Sequence, residues 1–196
     1  MKVKNQLIFL SILLINQIVL ATPFINGEHY LTLNKPITGI PQVIEFFSFL
    51  CPHCYQLESV FHQNNLKSKF KTVKYHVIFA ENEFVLTQAW SIAIALGIEN
   101  RVILPIFHQT IINNNFFYND IVKIFINLGI SKRDYDYLWN SYTIRLLSFK
   151  QQELAQRIRV NTIPTIVIDG KYLIKNEAIT GFYNYNKIIT YLHHLH

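Results

Sequence analysis

At 196 residues the chain is long enough to bury one substantial core without disulfide staples. Its composition, 51% hydrophobic against 15% charged, excludes the polar, highly charged character of disordered chains. The formal charge of +6 is scattered, and its densest run (Lys67, Lys69, Lys71, Lys74) reads as a solvated face, so no nucleic-acid partner is expected.

Residues 1–21, "MKVKNQLIFLSILLINQIVLA", open with Lys2 and Lys4, continue into an apolar run from Leu7, and end in the small-residue pattern Val19-Leu20-Ala21. This is the layout of a secretory signal peptide cleaved near Ala21. A membrane anchor is the alternative, but Asn16 and Gln17 interrupt a run that falls short of the roughly 20 apolar residues needed to span a bilayer. Cleavage would lower the formal charge by two, to +4, and place the mature chain on the export side of the membrane.

The mature chain carries no internal repeat and no Gly/Ser linker, so its organisation is read from changes of period. "QVIEFFSF" (42–49) suits a strand buried on both faces, and "VKYHVIF" (73–79) is a second strand candidate. Helical spacing follows in "TQAWSIAIALG" (87–97) and in "DIVKIFINLG" (120–129), where Ile121, Ile124, Phe125 and Leu128 share a face ahead of Gly129. "SKRD" (131–134) resembles a capping box before Tyr135, Leu138 and Trp139, and residues 141–158 form a further helix. "TIVI" (165–168) and "KYLIK" (171–175) flank Asp169-Gly170, the signature of a two-residue type I′ hairpin, and "NKIITYLHHL" (186–195) supplies a last amphipathic helix. The pattern predicts an α/β unit with one parallel crossover and one hairpin, interrupted by a helical insertion. The expected divisions are 22–79 and 151–196 for the α/β unit and 80–150 for the insertion.

The only two cysteines, Cys51 and Cys54, lie in "FFSFLCPHCYQ" with Pro52 and His53 between them. As half of a zinc site the pair would need two more ligands; no second C-x-x-C exists and the eight histidines include no clean H-x3-H, which favours a redox pair. Cys51 follows a buried strand and should sit at the N-terminus of the next helix, where unpaired N–H groups and the helix dipole stabilise a thiolate. Cys54, one turn on, should be the less exposed thiol with the higher pKa. His53 adds a potential positive charge beside Cys51. Each unit by which the thiolate pKa lies below the working pH stabilises the dithiol by about 1.4 kcal/mol, roughly 30 mV towards a more oxidising disulfide.

"VIEFFSFLCPHCYQLE", "KYHVIF", "LTQAWSIAIALG" and "TIPTIVIDGKY" together resemble the DsbA family of periplasmic disulfide oxidases in the thioredoxin superfamily, in the same order and across essentially the whole mature chain. The resemblance implies a thioredoxin fold with an inserted helical domain. It further implies a monomeric, periplasmic enzyme that needs no cofactor beyond its Cys51–Cys54 disulfide, which it donates to reduced or unfolded exported polypeptides. Reoxidation would come from a quinone-linked membrane protein of the DsbB type. Carried over by position, Cys51, Pro52, His53 and Cys54 form the catalytic tetrapeptide. Ile163, Pro164 and Thr165 form a substrate-binding loop with a cis Ile163–Pro164 bond, and Glu45, Lys74 and Glu58 form a buried charged set near the thiols. For Glu58 an exposed helical position is equally compatible with the sequence. The segment before "KYHVIF" and the stretch before Pro164 are shorter than usual for the family, and Ile163 stands where members often have Val. Outside the oxidase reading stand a disulfide isomerase or reductase, a non-catalytic peptide-binding chaperone and a metal-binding module.

Overall fold

The computed structural model describes residues 24–63, 70–80, 83–179 and 182–195. The expected leader, together with Lys67 and Lys69 of the basic run, lies outside the described residues.

Five strands, β1 (Tyr30–Thr32), β2 (Val43–Phe47), β3 (Thr72–His76), β4 (Thr165–Ile168) and β5 (Tyr172–Ile174), form a sheet in the order β1-β5-β4-β2-β3. The apolar run of β2 is explained by its place: it lies between β3, which it pairs in parallel, and β4, which it pairs antiparallel, and all five of its residues are buried. The parallel crossover is α1 (Pro52–Gln63), opened by Pro52, whose fixed φ and missing N–H suit a first helical position.

Asp169 and Gly170 both have positive φ, and Lys171 N–H closes the turn on Ile168 C=O at 2.9 Å. The register nevertheless sets Tyr172 opposite Ile168, so the connection holds three residues rather than the expected two, with Lys171 as the extra one. Gly170 is required: a Cβ there would lie 1.9 Å from Ile37 O.

Helices α2 (Phe84–Leu96), α3 (Glu99–Phe107), α4 (Tyr118–Asn127), α5 (Lys132–Trp139) and α6 (Tyr142–Ile158) follow β3, and α7 (Phe182–His193) follows β5. Ser131 caps α5 by accepting the Asp134 N–H at 3.1 Å. Its own hydroxyl donates to the Asp134 carboxylate at 2.6 Å, so Asp134 does not reach back to the cap backbone as a full capping box would. Two elements carried too little signal to be expected. β1 is three residues long and exists because it pairs with β5. In α3 the face formed by Val102, Ile103, Ile106 and Phe107 is interrupted by Pro105, and the helix widens into a π turn, His108–Ile112.

Three apolar clusters hold these elements. Val43, Ile166 and Ile168 meet Tyr185, Ile188, Ile189 and Leu192 of α7 on one side of the sheet. Ile44, Phe46 and Val167 meet Leu154, Ala155 and Ile158 of α6 on the other. The largest cluster runs from Phe47, Phe49 and Cys54 into α2, α3, α4 and α5, so the helical insertion shares its core with the end of β2. Helix α6 passes unbroken through residue 150: Ile144 belongs to the helical cluster and Leu154 to the sheet cluster, and the expected division there falls inside one helix.

Candidate active site

Strand β2 ends at Phe47, and after three intervening residues Cys51 stands immediately before α1. The turn is held by Cys51 N–H to Ser48 C=O at 3.1 Å and by Leu50 N–H to Ser48 Oγ at 3.0 Å. Cys51 is partly exposed, Cys54 is 1% exposed, and both are free thiols. Cys54 N–H points at the Cys51 sulfur at 3.3 Å, as expected of a helix N-terminus facing an anion.

This geometry lowers the Cys51 pKa to about 6. The largest cause is the hydrogen bond from the Cys54 thiol; burial opposes it, and the N–H groups of Cys54 and His53 add to it. The charge of His53 comes last, which corrects the weight that the sequence suggested for it: the side chain is exposed, where water screens it, and the neighbouring thiol and amides do more. Burial, first, and then the Cys51 sulfur push the Cys54 thiol far upward. One sulfur is therefore anionic and accessible near neutrality, and the other is a protonated, buried thiol.

Opposite Cys51 lies the loop before β4. The Ile163–Pro164 bond is cis, and Ile163 C=O stands 3.9 Å from the Cys51 sulfur. Thr165 Oγ1 donates to Thr162 C=O at 2.6 Å and braces the loop from behind. Beside it His53, Gln56, Leu57 and Val60 of α1, with Pro164 and Ile179, line a largely apolar groove of about 480 Å³.

Beneath α1, Lys74 Nζ bridges the carboxylates of Glu45 and Glu58 at 2.6 Å each. Glu58 is 5% exposed, so it is a member of the buried set and not an exposed helical residue. Lys74 also leaves the expected solvated run, of which Lys71 is exposed. Burial raises the Glu45 carboxyl, Lys74 opposes that rise, and Glu58 adds to it; burial disfavours the Lys74 cation, yet the two carboxylates hold its pKa above the ordinary range. Glu45 in turn adds to the rise of Cys54. His62 Nε2, one turn beyond Glu58, stands 3.3 Å from its second oxygen.

Three site neighbours carried no sequence signal. His76, fully buried at the end of β3, stacks on Phe49 and shares a 2.7 Å hydrogen bond with Thr87. Thr110, in the π turn, donates to Phe49 C=O at 2.5 Å. Glu83, just before α2, accepts a hydrogen bond from Ser48 Oγ. All three reach the site across long stretches of chain. Among the described residues no group of three His, Cys, Asp or Glu side chains is gathered in a way that would hold a metal ion, and no helix is long and apolar enough to cross a membrane.

A parallel β–α–β crossover followed by an antiparallel hairpin, with a C-x-x-C at the head of the crossover helix and a cis proline facing it, defines a thiol:disulfide oxidoreductase of the thioredoxin superfamily. Within it the chain belongs to the DsbA-like family: residues 42–188 match the family described as the DSBA-like thioredoxin domain. The chain is 40% identical over 171 residues to the thiol:disulfide interchange protein DsbA of Escherichia coli K12, covering 81% of this chain and 80% of that protein. The corresponding protein of Salmonella typhimurium is 41% identical over 165 residues, 79% of this chain and 78% of its own length. Among solved structures, DsbA from Proteus mirabilis bound non-covalently to the peptide PWATCDS superposes with a TM-score of 0.76 at 35% identity, covering 87% of this chain and 98% of that one.

Proposed function

We propose that the protein works in the oxidising direction, donating a Cys51–Cys54 disulfide to reduced polypeptides after their export. The observation that carries this reading is the Cys51 sulfur, held as an anion by the Cys54 thiol and by amides at the head of α1. A thiol with a pKa of about 6 is roughly nine-tenths ionised at pH 7, which stabilises the dithiol by about 1–2 kcal/mol, or roughly 30 mV.

In the reaction a substrate thiolate attacks the Cys51 sulfur of the disulfide. The Cys51–Cys54 bond breaks, a substrate–Cys51 bond forms, and Cys54 takes up a proton as its buried environment demands. A second substrate thiolate then attacks the substrate sulfur of the mixed disulfide, and Cys51 departs as a thiolate; a low-pKa thiol leaves readily. The substrate is oxidised and the protein reduced, both by two electrons. Ile163 C=O, 3.9 Å from the Cys51 sulfur, is positioned to accept a backbone N–H from an extended substrate segment, with Pro164 and Thr165 shaping the loop. The groove beside His53 suits apolar substrate side chains, and a peptide substrate is supported by the Proteus mirabilis relative, which binds the peptide PWATCDS non-covalently.

The signal-like N-terminus supports a periplasmic location, where disulfides persist. The protein acts there as a monomer, and a quinone-linked membrane reoxidase of the DsbB type returns it to the disulfide form. The deciding experiment is a redox titration against glutathione, with a reduced unfolded protein as substrate. The disulfide should oxidise glutathione and the substrate. A pair more reducing than glutathione would refute the assignment, and retention of full activity in Cys51→Ser would point instead to a non-catalytic peptide binder.

A further inference from the structure

Glu83 is a buried carboxylate, 4% exposed, that forms no ion pair among the described residues. Burying a charge without a cation is costly unless hydrogen bonds replace its water, and here they do. One oxygen accepts the N–H groups of Phe79 and Ala80 at 3.3 and 3.1 Å; the other accepts the Ser48 hydroxyl at 3.0 Å. With its hydrogen committed to Glu83, Ser48 Oγ presents a lone pair to Leu50 N–H at 3.0 Å. The Ser48 carbonyl accepts Cys51 N–H, and the Ser48 backbone also hydrogen-bonds the Cys54 sulfur. One residue thus touches both ends of the C-x-x-C, and one carboxylate orients that residue. Glu83 also stands directly before α2, whose Leu86, Ala89 and Trp90 pack in the same cluster as Cys54.

We infer that Glu83 is a positioning residue for the disulfide exchange: acting through the Ser48 hydroxyl, it locks the turn between β2 and α1 so that the head of α1 stays aimed at the Cys51 sulfur. It is not a field source. A negative charge near Cys51 would raise the thiol pKa, so removal of Glu83 as a charge and removal of Glu83 as a brace have opposite signs. The titratable groups that act on Cys51 itself are Cys54 and His53, and the variants below leave both in place.

The test is the pH midpoint of Cys51 alkylation by iodoacetamide in the reduced full-length protein, together with its equilibrium against glutathione. Glu83→Ala should raise the midpoint by about half a unit to one unit and make the disulfide roughly three- to fivefold less oxidising at pH 7. Glu83→Gln, whose oxygen can still accept the Phe79 and Ala80 N–H groups but whose NH2 must donate to Ser48 Oγ instead of accepting from it, should fall between wild type and Glu83→Ala. Ser48→Ala should reproduce Glu83→Ala, and the double variant should add nothing further. If Glu83→Ala does not fold, Ser48→Ala carries the test. An unmoved midpoint in Glu83→Ala and Ser48→Ala overturns the inference, as does a lowered midpoint in both Glu83 variants. The inference rests on Cys51 being the ionised sulfur: a wild-type midpoint near the roughly 8.5 of free cysteine would sink that reading, whereas a low wild-type midpoint that Glu83→Ala leaves unmoved would sink this inference alone.

Discussion

Replacing Cys54 tests the principal physical claim about the site, that the Cys54 thiol does more for the Cys51 anion than any other single group. Alanine removes the S–H donor; the Cys54 N–H at 3.3 Å belongs to the backbone and stays. A hydrogen bond to a charged group contributes about 1.5–3 kcal/mol, which corresponds to a rise of about one to two units in the Cys51 pKa. From a starting value of about 6, Cys54→Ala should therefore titrate at about 7–8, and the thiolate fraction at pH 7 should fall from roughly nine-tenths to a half or less. Serine at the same position restores an O–H donor, so Cys54→Ser should stay within about half a unit of wild type. The assay is thiolate absorbance or alkylation rate from pH 4 to 9. If Cys54→Ala and Cys54→Ser titrate together near the wild-type midpoint, the helix N-terminus alone stabilises the anion and the argument from the paired thiol is wrong.

Further expectations follow from the other charged groups. His53→Ala should raise the Cys51 midpoint by only about half a unit to one unit, and the difference should shrink at high salt, because the imidazole is exposed; a salt-independent effect as large as that of Cys54→Ala would contradict this ranking. Lys74→Met strands Glu45 and Glu58 together and should cost about 3 kcal/mol in urea unfolding at pH 7, more than the simultaneous neutral replacement of all three residues; equal costs would show that the cation is dispensable. The low folded-state value of Cys51 stabilises the reduced form fully above the ordinary thiol range and loses that contribution as pH falls through about 6. The reduced protein should therefore lose about 1–2 kcal/mol relative to the oxidised one between pH 7 and 5, and a constant gap would refute the linkage. His76 is held by burial at a pKa of about 3, so the neutral ring stabilises the fold above pH 6.5 and that stability is lost as pH falls towards 3. Wild type should lose about 2 kcal/mol between pH 6.5 and 5 that His76→Gln does not.

Much of this protein was legible in one dimension because the relevant physics acts over a few residues. The i, i+3 spacing that brings Cys51 and Cys54 onto one turn, the strand that delivers Cys51 to a helix start, the Asp169-Gly170 turn and the Ser131 cap each depend on neighbours in the chain. Glu45 stood out as a lone charge in an apolar strand, and a buried charge demands a partner; family resemblance then pointed to Lys74 and Glu58. What stayed hidden depends on contacts across long stretches of chain. β1 exists only because β5 offers it an edge. Pro105 masked α3, and the π turn after it matters only because it aims Thr110 at Phe49. The ranking of Cys54 above His53 could not be seen either, since both are adjacent in sequence and differ in where the packed core leaves them: one pressed against the sulfur, the other out in water. Glu83 and Ser48 are 35 residues apart and carry no motif. Local spacing sets which groups are available to the sulfur, and the free energy of packing sets which of them are close enough, and dry enough, to act on it.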